Sequence, residues 1–283
     1  MTPMFFSLSA NAFARSVKAM RRDARLVIPG TTKAYDSTVS SAATAGSPAT
    51  TTSTASDAIR LARLLGRIAL RALVWFHVWY LGVTCLLVIC FSFITPGATT
   101  LSLYRKYIDG WKITRPVPVS LLKVPKTTRQ MLVSVEDYRF YEHHGIDIEA
   151  FQRAIEINKQ LGRPLYGGST LTMQTARTLF LIPTKSYVRK YLEVIVAFEL
   201  ELFAGKKRIL ELYFSWAEWG KGVFGIEAAS RRYYGVPIGK LDIDQAARLI
   251  AILSSPIRYS PTTILRSSLL RTRYNFLLER YAR

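Results

Sequence analysis

Beyond position 90 the chain has no cysteine: its two, Cys85 and Cys90, both lie inside one apolar run. Disulfides and thiolate zinc sites are therefore excluded from residues 96–283. Acidic residues are scarce, 19 Asp+Glu against 39 Lys+Arg, for a formal net charge of +20. Such a chain needs anionic partners, and composition alone leaves nucleic acid, acidic lipid head groups and phosphorylated substrates open. Large apolar residues are nearly missing from positions 31–57, where Thr, Ser, Ala, Gly and Pro dominate. A stretch of that kind cannot bury enough surface to offset its chain entropy and is expected to be disordered. There is also no alternating apolar pattern long enough to build a sheet, and no internal repeat.

What is present begins with a basic segment, Arg15, Lys18, Arg21, Arg22 and Arg25. It reads as a solvated tail or as one that touches anionic lipid. From Ala72 to Ile94 the chain carries no formal charge, long enough for a hydrocarbon layer of roughly 30 Å. Trp75, Trp79 and Tyr80 suit its interfacial belt. The run sits too deep in the chain for a cleaved signal peptide. Arg60, Arg63, Arg67 and Arg71 precede it and favour an N-terminus inside, although Arg105, Lys106, Lys112 and Arg115 follow. The expected organisation is a tail over 1–65, a membrane helix over 66–95, a connector over 96–117 and one mainly α domain over 118–283.

Within that domain, apolar spacing predicts helices over 127–142, 169–181, 186–204, 206–214, 224–234 and 243–254. Ser169 or Thr170 caps the second, Gly220, Gly222 and Gly235 interrupt the later ones, and Pro256 ends the last.

Three segments carry chemistry. The first is the run Glu136-Asp137-Tyr138-Arg139-Phe140-Tyr141-Glu142-His143-His144-Gly145. A carboxylate at a core edge, as Glu136 is expected to be, can act as a general base; a surface ion pair with Arg139 or Lys126 is the alternative. The second is Gly167-Gly168-Ser169-Thr170-Leu171-Thr172-Met173-Gln174. Two glycines admit a ligand close to the backbone, and the helix N-terminus beyond attracts anions; a plain helix cap reads the same way. The third gathers Arg177, Lys185, Arg189 and Lys190 around Glu193, with Arg189 and Glu193 one turn apart. It is either a helix salt bridge or a diphosphate cradle ordered by a carboxylate.

In this order, with KKRILELY at 206–213 and EWGKGVFGIEAASRRYYG at 218–235, these stretches resemble the peptidoglycan glycosyltransferases. That is glycosyltransferase family 51, found also as the first domain of bifunctional penicillin-binding proteins. The resemblance covers roughly residues 116–262, and Trp219-Gly220 looks most like the monofunctional members. It implies a lysozyme-like, mainly helical domain that polymerises lipid II, a disaccharide-pentapeptide on a polyprenyl diphosphate, by inverting transfer.

By motif position Glu136 would be the catalytic base, and Glu193 the second carboxylate, placing the diphosphate or its metal. Phe140, His143, Gly145, Gly168, Ser169, Thr170, Gln174, Arg177, Lys185, Arg189 and Lys190 would meet the substrate. No organic cofactor is implied; a divalent cation, Mg or Mn, is. The implied partners are lipid II, the growing glycan chain, membrane lipid, and cell-wall synthesis or division proteins, with no nucleic acid. The implied setting is the bacterial inner membrane, with the N-terminus cytoplasmic and the domain periplasmic.

The chain departs from the family pattern at Met173 (usually Gln), Arg177 (Lys), Lys185 (Arg) and Ser215 (Asn). Charge is kept at the second and third, but fork geometry is not. Ser120-Leu121-Leu122-Lys123 has S-x-x-K spacing, but no Lys-Thr-Gly triad follows, so no transpeptidase is expected. The competing readings are a lytic hydrolase on a similar fold and a basic, membrane-tethered binder of acidic polymer.

Overall fold

The computed structural model describes residues 51–162 and 167–282. The basic N-terminal segment and most of the Thr/Ser/Ala-rich stretch lie outside the described residues. The chain divides into two compact units. The second, Ala72–Asn158 with Pro164–Arg283, holds every feature below except the first part of α1.

Helix α1 runs from Thr51 to Phe93, 43 residues. At 1.5 Å per residue that is about 64 Å, roughly twice a hydrocarbon layer. The helix therefore includes Thr51–Asp57, the end of the stretch expected to be disordered. No Gly or Pro stops it there, and adding residues to an existing helix avoids the cost of nucleation. From Asp57 to Phe93 it is long and apolar enough to cross a membrane.

Within the second unit, α1 lies along α6 (Tyr187–Phe203). His77 Nε2 is 3.1 Å from the Tyr191 hydroxyl, and Thr84 Oγ1 is 3.0 Å from Glu199 Oε1. Burial pushes the Glu199 carboxyl above the ordinary carboxylate value, with the Thr84 hydrogen bond opposing. Arg208 then ties the end of the span, donating to the Phe91 carbonyl at 2.8 Å.

The remaining helices are α2 (Thr100–Tyr107), α3 (Lys126–Glu136), α4 (Ile148–Leu161), α5 (Leu171–Phe180), α7 (Gly205–Trp216), α8 (Ile226–Tyr234), α9 (Ile243–Ile252) and α10 (Ser268–Tyr281). Helix α5 packs against α2, α6 and α7, and α9 against α3 and α10. Leu171, Met173, Ala176 and Leu179 put one face of α5 in the core, where Leu132, Phe140, Phe214, Trp219 and Phe224 are fully buried. The fold is mainly α.

Two local features differ from the expected pattern. Among the described residues there is one small sheet, the antiparallel pair β1 (Glu218–Gly220) and β2 (Val223–Phe224). Strands of three and two residues are too short to show alternation, and β2 takes the start of the helix expected at 224. The helix expected over 127–142 stops at Glu136, because Asp137 leaves helical geometry (φ −164°, ψ 73°). Its side chain has stronger partners elsewhere, and these build the site.

Candidate active site

Glu136 is the last residue of α3, so its side chain stands where the helix stops and the 137–147 loop begins. Its side chain is 10% exposed. One carboxylate oxygen, Oε2, accepts from Gln174 Nε2 at 3.1 Å. The other is ion-paired with Arg273 Nη2 from α10, and the same nitrogen reaches the Val135 carbonyl at 3.4 Å. Tyr213 of α7 donates its hydroxyl to Gln174 Oε1 at 3.1 Å, which fixes the amide with its NH2 toward Glu136. Burial first, and then the Glu136 charge, push the Tyr213 hydroxyl well above its ordinary value, against Arg177 and Arg273. Tyr213 thus stays a neutral donor.

The loop after Glu136 is pinned by Asp137. Its carboxylate accepts from the Leu171 amide at 2.8 Å and from His143 Nε2 at 2.9 Å. Leu171 opens α5, where a carboxylate complements the helix dipole. His143 Nδ1 accepts from the Gly145 amide at 3.2 Å, so the ring proton sits on Nε2, facing Asp137. The Gly145 carbonyl accepts from Thr170 Oγ1 at 2.6 Å, and Thr170 Oγ1 accepts from the Met173 amide at 3.1 Å as the cap of α5. Lys206 closes the loop from α7, donating to the His143 carbonyl at 2.6 Å and lying 4.5 Å from the Phe140 ring centroid.

Phe140, His143, Gly145 and Thr170, expected as substrate contacts, are placed inside the loop that follows Glu136 and at the start of α5. Phe140 is wholly buried, and Thr170 and His143 are nearly so. Their polar atoms are satisfied within the loop, and what they do is hold Glu136 against α5.

The cationic group forms the other half. Gly168 passes so close to α4 that an added Cβ would sit 2.5 Å from Phe151 Cα, so a side chain here would force backbone to move. Ser169 Oγ accepts from Lys190 Nζ at 2.7 Å. Lys190 also bonds Glu193 Oε1 at 2.9 Å, and Arg189 pairs with Glu193 Oε2. Glu193 is fully buried and has both oxygens engaged, so it orders the two cations. Burial lowers the Lys190 ammonium below the ordinary lysine value; Glu193 opposes this, and Arg177 and Arg189 add to it.

Arg177 sits in the last turn of α5, the helix that also carries Gln174 and follows Ser169, and its charge lowers the pKa of both the Tyr213 hydroxyl and the Lys190 ammonium. Lys185 is exposed in the 181–186 loop and belongs to neither hydrogen-bonded group.

The residues missed by sequence reading are Arg273, Tyr213 and Asp137. Arg273 lies 137 positions from its partner, in a basic helix that reads as solvated. Tyr213 is inside the quoted KKRILELY stretch, but helical spacing makes it a core residue.

A nearly buried carboxylate and a Gly-Ser turn met by a cation are thus held at α5, one by Gln174 within it and the other at its N-terminal end. Residues 106–282 match the Transglycosylase family profile. The chain is 43% identical to the biosynthetic peptidoglycan transglycosylase of Caulobacter vibrioides over 175 residues, 61% of this chain and 74% of the relative. It is 40% identical to the same-named protein of Dechloromonas aromatica, covering 69% of this chain and 84% of the relative. The protein of that name from Pseudomonas putida strain W619 is 39% identical, over 71% and 84%. The chain belongs to the transglycosylase family.

Replacing Arg273 with Gln strands a partly buried carboxylate and should lower domain stability by about 1–3 kcal/mol in denaturant unfolding. The double variant Glu136→Gln/Arg273→Gln should be less destabilised than the Arg273 single. Additive losses would show that the two side chains are not coupled.

Proposed function

We propose that Glu136 is the general base of an inverting glycosyl transfer by which the protein polymerises lipid II into peptidoglycan glycan strands. The observation that carries this reading is the placement of Glu136 at the end of α3, held by Gln174 and Arg273, while Lys190, ordered by Glu193, meets the Ser169 turn.

Glu136 takes the proton of the sugar 4-hydroxyl on the acceptor lipid II. The freed oxygen attacks the anomeric carbon of the lipid-linked growing chain. The bond from that carbon to the diphosphate breaks, and polyprenyl diphosphate departs with the bonding electrons. Lys190, Arg189 and Arg177 meet the charge that develops on it, and Ser169 adds a hydroxyl. Glu193 holds Arg189 and Lys190 ready, so little reorganisation accompanies the step. An inverting transfer needs one base and a stabilised leaving group, with no covalent carboxylate partner.

A Mg or Mn ion acting here would be held mainly by the substrate diphosphate, with one or two protein carboxylates at most. Glu193 has both oxygens committed to cations. Among the described residues no three His, Cys, Asp or Glu converge on one point. No step here is routed through a metal. A lytic hydrolase fits less well: it has no use for the cations ordered by Glu193 beside the Gly-Ser turn.

Helix α1 anchors the chain to a membrane, where the lipid tail of the substrate also resides. On this reading the membrane is the bacterial inner membrane, with the N-terminus cytoplasmic and the domain periplasmic. The protein partners are then those of cell-wall synthesis or division.

Replacing Glu136 with Gln should cut polymerisation of lipid II by a factor on the order of 10² or more. Near-normal turnover in the folded variant would overturn the assignment.

Lys190 gives a pH signature. Its lowered pKa means the ammonium is lost sooner on the alkaline side than that of an ordinary lysine. KM for lipid II should therefore rise in that window, and Lys190→Arg should flatten the rise. An identical alkaline profile in the two proteins would count against the cradle.

A further inference from the structure

Away from Glu136 and Glu193, the connector and the β1–β2 hairpin enclose an open cleft of about 740 Å³. Four of its lining side chains are cationic: Lys112, Arg115, Lys221 and Arg232. Among the described residues none of these four forms an ion pair. The lining's one carboxylate, Asp109, is already bound by Arg105 at 2.8 Å. The nearby Glu218 is bound by the same guanidinium at 3.1 Å. Even with Asp109 and Glu218 sharing the single charge of Arg105, the cleft and its rim keep a positive excess.

Its walls are fastened together. The Thr114 amide donates to the Gly222 carbonyl at 2.8 Å. Gly222 has φ +71°, and an added Cβ would lie 2.4 Å from the Lys112 carbonyl oxygen; no other residue fits this turn. Arg105 bridges the same two segments through Asp109 and Glu218. Trp111 carries Arg105 over its ring at 4.4 Å and Lys221 at 5.2 Å. A site built this way holds the backbone that carries Lys112, Arg115 and Lys221 in place before a ligand arrives.

Two features speak for a lipid ligand. The cleft begins at Asp109, sixteen residues beyond the end of α1 at Phe93. The two residues before it, Tyr107 and Ile108, are 69% and 68% exposed. Cations beside an exposed aromatic–aliphatic tip are what the boundary between head groups and acyl chains selects.

The geometry points to a second anion site in this cleft, which binds the phosphate of an anionic phospholipid head group while Tyr107 and Ile108 enter the acyl region. The site does not depend on the reaction proposed above, since no lining residue belongs to either group of the active site.

The test uses the full chain in a non-ionic detergent, titrated with short-chain phosphatidylglycerol, short-chain phosphatidylcholine and inorganic phosphate, and read by Trp111 fluorescence. A Trp111→Phe variant identifies that signal. Phosphatidylglycerol should bind saturably and more tightly than the other two. Lys112→Ser/Lys221→Ser should weaken it about fivefold per cation removed, with lipid II polymerisation retained as the check on folding. Arg232→Ser, on the surface of α8, should weaken binding by a single step and serves if the double variant is unstable. Equal binding of phosphatidylcholine would overturn anion recognition. Binding of inorganic phosphate as tight as that of the lipid would overturn the lipid assignment. Unchanged affinity in both variants would overturn the site.

Discussion

The carboxylate of Asp137 is the joint on which the active site turns. It ends α3, receives the first amide of α5 and orients His143. Through His143, Gly145 and Thr170 the loop returns to the cap of the same helix. Glu136 and the Ser169 turn are thereby both tied to α5, although 33 positions separate them in sequence. As the proposed base, Glu136 needs that placement because proton transfer depends on reach and direction.

Charge organises the rest. In a chain with about twice as many basic as acidic residues, a carboxylate in the core is an ordering device. Glu193 draws Arg189 and Lys190 into one place. Glu201 accepts from Lys206 and Thr172, beside the His143 loop. The cations left over face outward, and four of them line the cleft beside the connector. Two of the places where cations gather are thus the Ser169 turn and the cleft beside the connector.

Much of this was readable in the residues, for identifiable reasons. Helices α5, α6 and α9 carry regular apolar stripes with a capping residue at the start, and periodicity reports such elements well. The Gly167-Gly168 turn and the Arg189–Glu193 pair are local, so spacing alone places them. The early end of α3 was not readable, because Asp137 is drawn out of the helix by partners 6 and 34 positions away. Arg273 was hidden for the same reason: only tertiary packing brings α10 to the end of α3. Phe140, His143 and Thr170 sit in motifs that look like ligand contacts. The structure buries them in the frame around Glu136, a placement that only tertiary packing reveals.

The central claim is that Asp137 aligns the base with the cradle, and the turnover number of an Asp137→Asn variant on lipid II tests it most directly. An amide at 137 keeps one acceptor for Leu171 but sets NH2 against the Nε2 proton of His143, so the loop shifts without losing its volume. The account predicts a fall in kcat on the order of tenfold to a hundredfold, as expected for a misplacement of about 1 Å, in a protein that remains folded by circular dichroism. A folded variant with wild-type kcat would contradict it.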